Sequence, residues 1–127
     1  MKSKVKLFVV GSAKCGTTSL YELLLKSHSI CPMNDKEPHY FGEYSAWGNV
    51  KFKDLDSYHS NIDFSKGYLP SDFSTSYLYS STAAQEIYDY NPSAKIIIML
   101  RDPAERALSL FNHQVRSMRE PIISFDK

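Results

Sequence analysis

Lys14, Thr17 and Thr18 fall in one short stretch, Gly11-Ser-Ala-Lys-Cys-Gly-Thr-Thr18, that sets an ammonium group and two hydroxyls around a glycine-flanked turn. The β-branched and aromatic run before it predicts a strand, and the leucines after it predict a helix. At such a junction successive backbone N–H groups and the positive helix end converge on one point, which suits an oxyanion. Gly11 and Gly16 permit backbone angles and a close approach that a side chain would block. Ser12, Ala13, Lys14, Cys15, Gly16, Thr17 and Thr18 are therefore the candidate anion-binding residues. The ordinary nucleotide-triphosphate loop carries its lysine directly after the second glycine, where this chain has Thr17. No clear strand-terminal aspartate is placed to hold magnesium, so a metal-dependent ATP or GTP reaction loses support and no metal ligand is assigned.

Two further stretches carry chemistry. Lys36-Glu-Pro-His-Tyr-Phe41 gathers a carboxylate, an imidazole and an ammonium group. A positioned Glu37 can take the proton of an attacking hydroxyl or amine; the alternative is a solvated Glu37 beside a packed His39. Arg101-Asp-Pro-Ala-Glu-Arg-Ala-Leu-Ser109 follows the apolar run from Lys95 to Leu100. Arg101 emerges from the predicted strand end and Ser109 lies about two helical turns further on, so a fixed phosphate can meet a guanidinium fork and a hydroxyl. Arg106 reads equally as a further ligand or as a surface partner of Asp102 or Glu105. Cys15 reads as a small filler of the loop rather than a nucleophile.

With these motifs the chain resembles the sulfotransferases that use 3′-phosphoadenosine 5′-phosphosulfate (PAPS). Their 5′-phosphosulfate loop has the pattern G-x-x-K-x-G-T-T, found here from Gly11 to Thr18. The stretch from Lys36 to Phe41 looks like the K-E-P-H-F-F segment of the heparan sulfate enzymes and their bacterial relatives. Arg101 to Ser109 matches R-D-P-x-x-R-x-x-S. The resemblance implies PAPS as the donor, Glu37 as catalytic base, His39 as a residue that positions the acceptor, Lys36 in the cleft wall, and Arg101 with Ser109 at the 3′-phosphate. Lys14 then stabilises charge growing on the leaving 5′-phosphate, which makes Lys14, Glu37 and His39 the catalytic candidates. Asp72-Phe-Ser-Thr-Ser-Tyr-Leu78 is a looser form of the family's E-x-S-P-x-Y-L segment. Asp72 replaces Glu, Thr75 replaces proline, and Phe73 stands where the heparan sulfate enzymes have a lysine, which fits the bacterial relatives better.

Positioning these groups requires a sheet. Val5 to Val10 and Lys95 to Leu100 read as buried strands, the second covered on both faces. Gly67 to Asp72 reads as a strand that Pro70 confines to an edge. Helices are predicted from Thr17 to Ser27, from Ser81 to Tyr90, and beyond an Asp102 cap, where Ala107, Leu108, Phe111 and Val115 form a buried stripe. Ser29 to Ser65, punctuated by Pro32, Pro38, Gly42 and Gly48, reads as loop with at most short helices. Strands alternating with helices predict an α/β fold: a parallel sheet flanked by helices, with a P-loop-like nucleotide-binding core.

The 127 residues, 43% hydrophobic and 23% charged, suit one globular domain. A net charge of +1 gives no overall field that would draw the chain to nucleic acid or an anionic membrane. Cys15 and Cys31 neither build a disulfide framework nor show CxxC spacing. The apolar run from Leu7 to Val10 is too short for a signal peptide, so a cytoplasmic location is the default expectation. Trp47, Tyr58 and Tyr77 could stack on sugar rings, but nine tyrosines in a small domain are mostly partly buried surface, and none is assigned. Family members continue for at least as many residues again, so residues 1–127 are expected to be one partial domain. An edge strand left open is the basis for expecting a homodimer. The expected acceptor is a hydroxyl or amine on a glycan or other small molecule. The rival readings are a P-loop kinase or NTPase, which magnesium dependence would reveal, and a nucleotide-binding remnant without catalysis.

Overall fold

The computed structural model describes residues 3–44, 52–66 and 68–118; Trp47, Gly48 and Gly67 lie outside the described residues. Strand β1 (Leu7–Val9) alternates its side chains between two apolar layers, as a period of two requires. Leu7 and Val9 join Ile30 and Phe73 in one buried cluster, covered by Leu20, Tyr21 and Leu24 of helix α1 (Thr17–Lys26). Phe8 and Val10 face a larger cluster on the other side with Met33, Phe41, Tyr58, Tyr77 and Ile87.

Strands β2 (Ile30–Pro32), β3 (Leu69–Phe73) and β4 (Lys95–Ile97) complete a parallel sheet in the order β2-β3-β1-β4. Phe8 pairs with Asp72 on one side and with Ile96 on the other. Helices α2 (Leu55–His59), α3 (Ala83–Tyr90) and α4 (Pro103–Arg116) follow in chain order, with short 3-10 turns at Phe64–Lys66 and Thr75–Tyr79. The predicted α/β architecture, a parallel sheet flanked by helices, is the one observed.

Four local expectations change. The segment read as loop holds β2, whose three residues are too few to show a period. β3 is an inner strand rather than an edge. Pro70 is tolerated because it sits near the start of β3: its carbonyl accepts the Lys6 N–H at 2.9 Å, and its missing donor falls before β1 begins. β4 is an outer strand, and Ile96, Ile98 and Leu100 are 48%, 53% and 77% exposed, so the apolar run is not covered on both faces. Helix α4 buries no residue, because it meets the phosphate loop with its polar side instead of lying over the sheet. Asp102 caps it as expected, accepting the Glu105 N–H at 3.0 Å.

Candidate functional site

The loop that follows β1 is strapped to the chain leaving β4. Val10 N–H donates to the Ile97 carbonyl at 3.0 Å, Met99 N–H to Gly11 at 2.8 Å, and Ser12 N–H to Met99 at 2.8 Å. Gly11 has φ +133, and a Cβ there would stand 3.0 Å from the Thr75 carbonyl and 3.1 Å from Leu78 Cβ, which leaves no room for a side chain. Lys14 and Gly16 both adopt left-handed backbone, with φ 62 and 86, and wind the loop back on itself. α1 starts after Gly16 with no side-chain cap and no acidic residue in its first turn. Its leading N–H groups are thus left for an anion.

Lys14, Gly16, Thr17 and Thr18 line a cavity of about 200 Å³ together with Arg101 and Ser109. A second cavity of about 390 Å³ is lined by Ala13, Lys14, Thr17 and Thr18 together with Glu37 and His39, among others. Lys14, Thr17 and Thr18 border both, so the anion cradle and the space in front of Glu37 adjoin. Among the described residues the Lys14 ammonium has no ion-pair partner. Ser12 and Cys15 border neither cavity; the Cys15 N–H is spent on the Ser12 carbonyl at 3.2 Å.

Arg101 stands between the Glu105 carboxylate, 3.4 Å from its Nε, and the Lys14 carbonyl, 3.4 Å from its guanidinium end. Among the described residues Arg106 forms no ion pair with Asp102 or Glu105, the surface partners that one reading gave it. Its Nε donates to the Ala13 carbonyl at 3.0 Å, which pins the loop from the side of α4. Local sequence held the signal only in part, since an arginine five positions after Arg101 does not disclose a partner across the fold.

Glu37 and His39 approach within 3.3 Å, carboxylate Oε2 to imidazole Nε2, with Glu37 about one-third exposed and His39 almost buried. His39 Nδ1 lies 2.6 Å from the Ser76 hydroxyl, and its backbone N–H donates to Ser74 Oγ at 3.1 Å. An ionised Glu37 only accepts and so calls for a proton on Nε2; in a neutral ring Nδ1 then accepts the Ser76 hydroxyl, which can serve either role. The imidazole thus meets the Glu37 carboxylate and borders the same cavity. Tyr79, on the wall of the same cavity, has its phenol pushed upward by burial first and then by the charge of Glu37.

Asp72 anchors this arrangement from below. It is fully buried and receives the hydroxyls of Ser74 at 2.6 Å, Tyr58 at 2.7 Å and Tyr77 at 2.8 Å. Burial raises its carboxyl above the usual range, while the three hydroxyls and nearby His39 oppose that rise. Ser74 connects Asp72 to the His39 backbone, and Tyr77 accepts the Tyr40 N–H at 3.1 Å. Tyr58 and Tyr77 thus serve the interior and offer no face to a sugar. Phe73 is also buried, 5.1 Å from the Tyr21 ring centre, so this segment brings no cation to the cleft.

The sequence profile of the sulfotransferase domain family matches residues 4–124. The chain belongs to this family. It is 36% identical over 126 residues to the human protein named bifunctional heparan sulfate N-deacetylase/N-sulfotransferase 3, covering 91% of this chain and 14% of that protein. The mouse protein of the same name numbered 4 matches with the same identity and coverage. The crystal structure of a sulfotransferase from Alicyclobacillus acidocaldarius superposes with a TM-score of 0.83 at 34% identity, covering 95% of this chain and 54% of that one. This sulfotransferase domain therefore spans about half the length of its structural neighbour and a smaller share of its curated relatives. Among the described residues no helix is long and apolar enough to cross a membrane.

Proposed function

We propose that this sulfotransferase domain binds PAPS at the Lys14–Ser109 cradle and transfers its sulfuryl group to a hydroxyl or amine of a carbohydrate. The observation that carries the reading is the shared border of Lys14, Thr17 and Thr18 between the anion cavity and the cavity of Glu37. The family implies PAPS as the sulfate donor. An uncapped helix start, a free ammonium and a guanidinium fit a phosphate-rich ligand.

PAPS supplies an activated sulfuryl group, and the chain supplies position and charge. Arg101 and Ser109 hold the 3′-phosphate. Lys14 and the leading N–H groups of α1 offset charge on the 5′-phosphate. Glu37 takes the proton of the attacking hydroxyl or amine, and His39 with Ser76 keeps its carboxylate in place. A carbohydrate acceptor is favoured because the curated relatives are named as heparan sulfate N-sulfotransferases.

Calorimetric titration with 3′-phosphoadenosine 5′-phosphate (PAP), and with ATP in the presence and absence of magnesium, tests the donor site. The expected result is magnesium-independent PAP binding that disappears in Arg101→Ala. Preference for ATP with magnesium would overturn the reading in favour of a kinase or NTPase. Sulfate incorporation from PAPS into N-deacetylated heparan-type oligosaccharides then tests the acceptor class.

A further inference from the structure

Lys36 is drawn onto the phosphate loop by two contacts. Its ammonium donates to Thr18 Oγ1 at 2.5 Å and stands 5.7 Å from the centre of the Tyr21 ring. Thr18 and Tyr21 are three positions apart on α1 and share a face of the helix, so Lys36 lies along that face. Its chain neighbour is Glu37. Among the described residues no carboxylate pairs with the Lys36 ammonium, so its charge is not neutralised locally.

The partner it has chosen borders both cavities. A threonine hydroxyl that accepts from an ammonium still has its own O–H to donate, and the positive neighbour makes that donor stronger. Lys36 lines neither cavity itself; its ammonium reaches their shared border through Thr18. In an in-line transfer the sulfuryl oxygens occupy the space between the leaving phosphate and the attacking atom. Thr18 borders that space, and the Lys36 ammonium is within 2.5 Å of its hydroxyl. Tyr21 holds the ammonium there through its ring face, since a cation over an aromatic ring is attracted by the ring quadrupole.

Resting on the PAPS reading above, we propose that Lys36, positioned by Thr18 and Tyr21, is a second cation of the transfer site that contacts the non-bridging oxygens of the sulfuryl group. Lys14 serves the leaving phosphate and Lys36 the group in transit. In the step they serve, the bond between sulfur and the bridging phosphate oxygen breaks with its electron pair on the 5′-phosphate. A new bond forms from sulfur to the acceptor oxygen or nitrogen, and the acceptor proton passes to Glu37. Lys36 keeps its proton throughout.

The discriminating experiment compares PAPS with PAP, which lacks only the sulfuryl group, by calorimetric titration of the wild-type chain, Lys36→Met and Lys36→Arg. The expected result is PAPS binding weakened roughly tenfold in Lys36→Met with PAP binding unchanged, as befits loss of one charge-assisted hydrogen bond. Lys36→Arg should recover most of the loss. Equal weakening of both nucleotides, or of neither, would overturn the proposal. A wild-type chain that bound neither nucleotide would instead overturn the underlying PAPS reading. Thermal unfolding of each variant separates these results from misfolding, and Lys36→Arg retains the cation if Lys36→Met fails to fold.

Discussion

Glu37 and His39 face each other across 3.3 Å, and the far nitrogen of the imidazole rests on Ser76 at 2.6 Å. The carboxylate is thereby supported by a ring that is itself fixed from behind. Glu37→Gln should lower turnover roughly a hundredfold or more, the scale of a lost general base, while PAP affinity stays as in the wild type. Steady-state kinetics with a PAP titration checks both halves. Retained turnover would remove Glu37 from the chemistry.

His39 should act on kcat and not on the acceptor KM. The ring is almost buried and aimed at Glu37, so His39→Ala should slow turnover by loosening the base. A rise in acceptor KM at constant kcat would show that His39 contacts the acceptor, as the family resemblance implies.

Arg106 should matter for the nucleotide although it contacts the loop only from outside. Its Nε donates to the Ala13 carbonyl at 3.0 Å and so holds the loop from the α4 side. Arg106→Ala is expected to weaken PAP binding by roughly tenfold, the worth of one charge-assisted hydrogen bond that orders the site. Arg106→Lys should recover little, since an ammonium group lacks the fixed direction of Nε–H. Titration calorimetry distinguishes this from a silent surface arginine, which would leave affinity unchanged.

The strand, loop and helix around Gly11 to Thr18 and the Asp102 cap of α4 were legible because each is a local pattern of glycine spacing, a strand end or a helix start within a few residues, whereas Glu37 stood out only through the family resemblance. What was not legible depends on partners far along the chain. Arg106 finds Ala13 from 93 positions away, and His39 finds Ser76 from 37. Asp72 looked like a conservative variant of a motif glutamate, yet its role is set by Tyr58 and Tyr77, which only the folded core brings to it. The strand reading of Lys95 to Leu100 was right in type, but an apolar run does not say which flank of the sheet it will occupy. Pro70 misled for a definable reason, since an inner strand accepts proline where the neighbouring strand has not yet begun.

Tyr77→Phe should cost more stability than Tyr58→Phe. Both hydroxyls donate to Asp72, but the Tyr77 oxygen also accepts the backbone N–H groups of Tyr40 at 3.1 Å and Phe41 at 3.5 Å. Removing it leaves those two N–H donors without their acceptor and Asp72 Oδ2 with Tyr58 alone, a loss of about 2–3 kcal/mol against about 1–2 kcal/mol for Tyr58→Phe, which leaves the N–H acceptor in place. Urea unfolding of the two variants gives the comparison. Equal losses would mean that the segment from Tyr40 to Phe41 does not depend on Tyr77.

Glu43 should make the fold acid-sensitive. Its carboxyl is held at about 2, below the usual 4.5, chiefly by the Ser80 hydroxyl and then by the Ser81 backbone N–H. Gly42 N–H donates in return to Glu86 at 2.8 Å, so the loop after His39 and the start of α3 grip each other. A carboxyl depressed in the folded state stabilises the fold above its unfolded value and loses that contribution as pH falls toward the folded one. The window therefore runs from 4.5 down to about 2. Asp72, shifted the other way, is common to wild type and variant and cancels in their difference. Thermal midpoints of the wild type and Glu43→Gln should differ by a constant amount at neutral and mildly acidic pH and converge across that window. A gap that persisted to the bottom of the window would show that the carboxylate charge contributes nothing to the clasp.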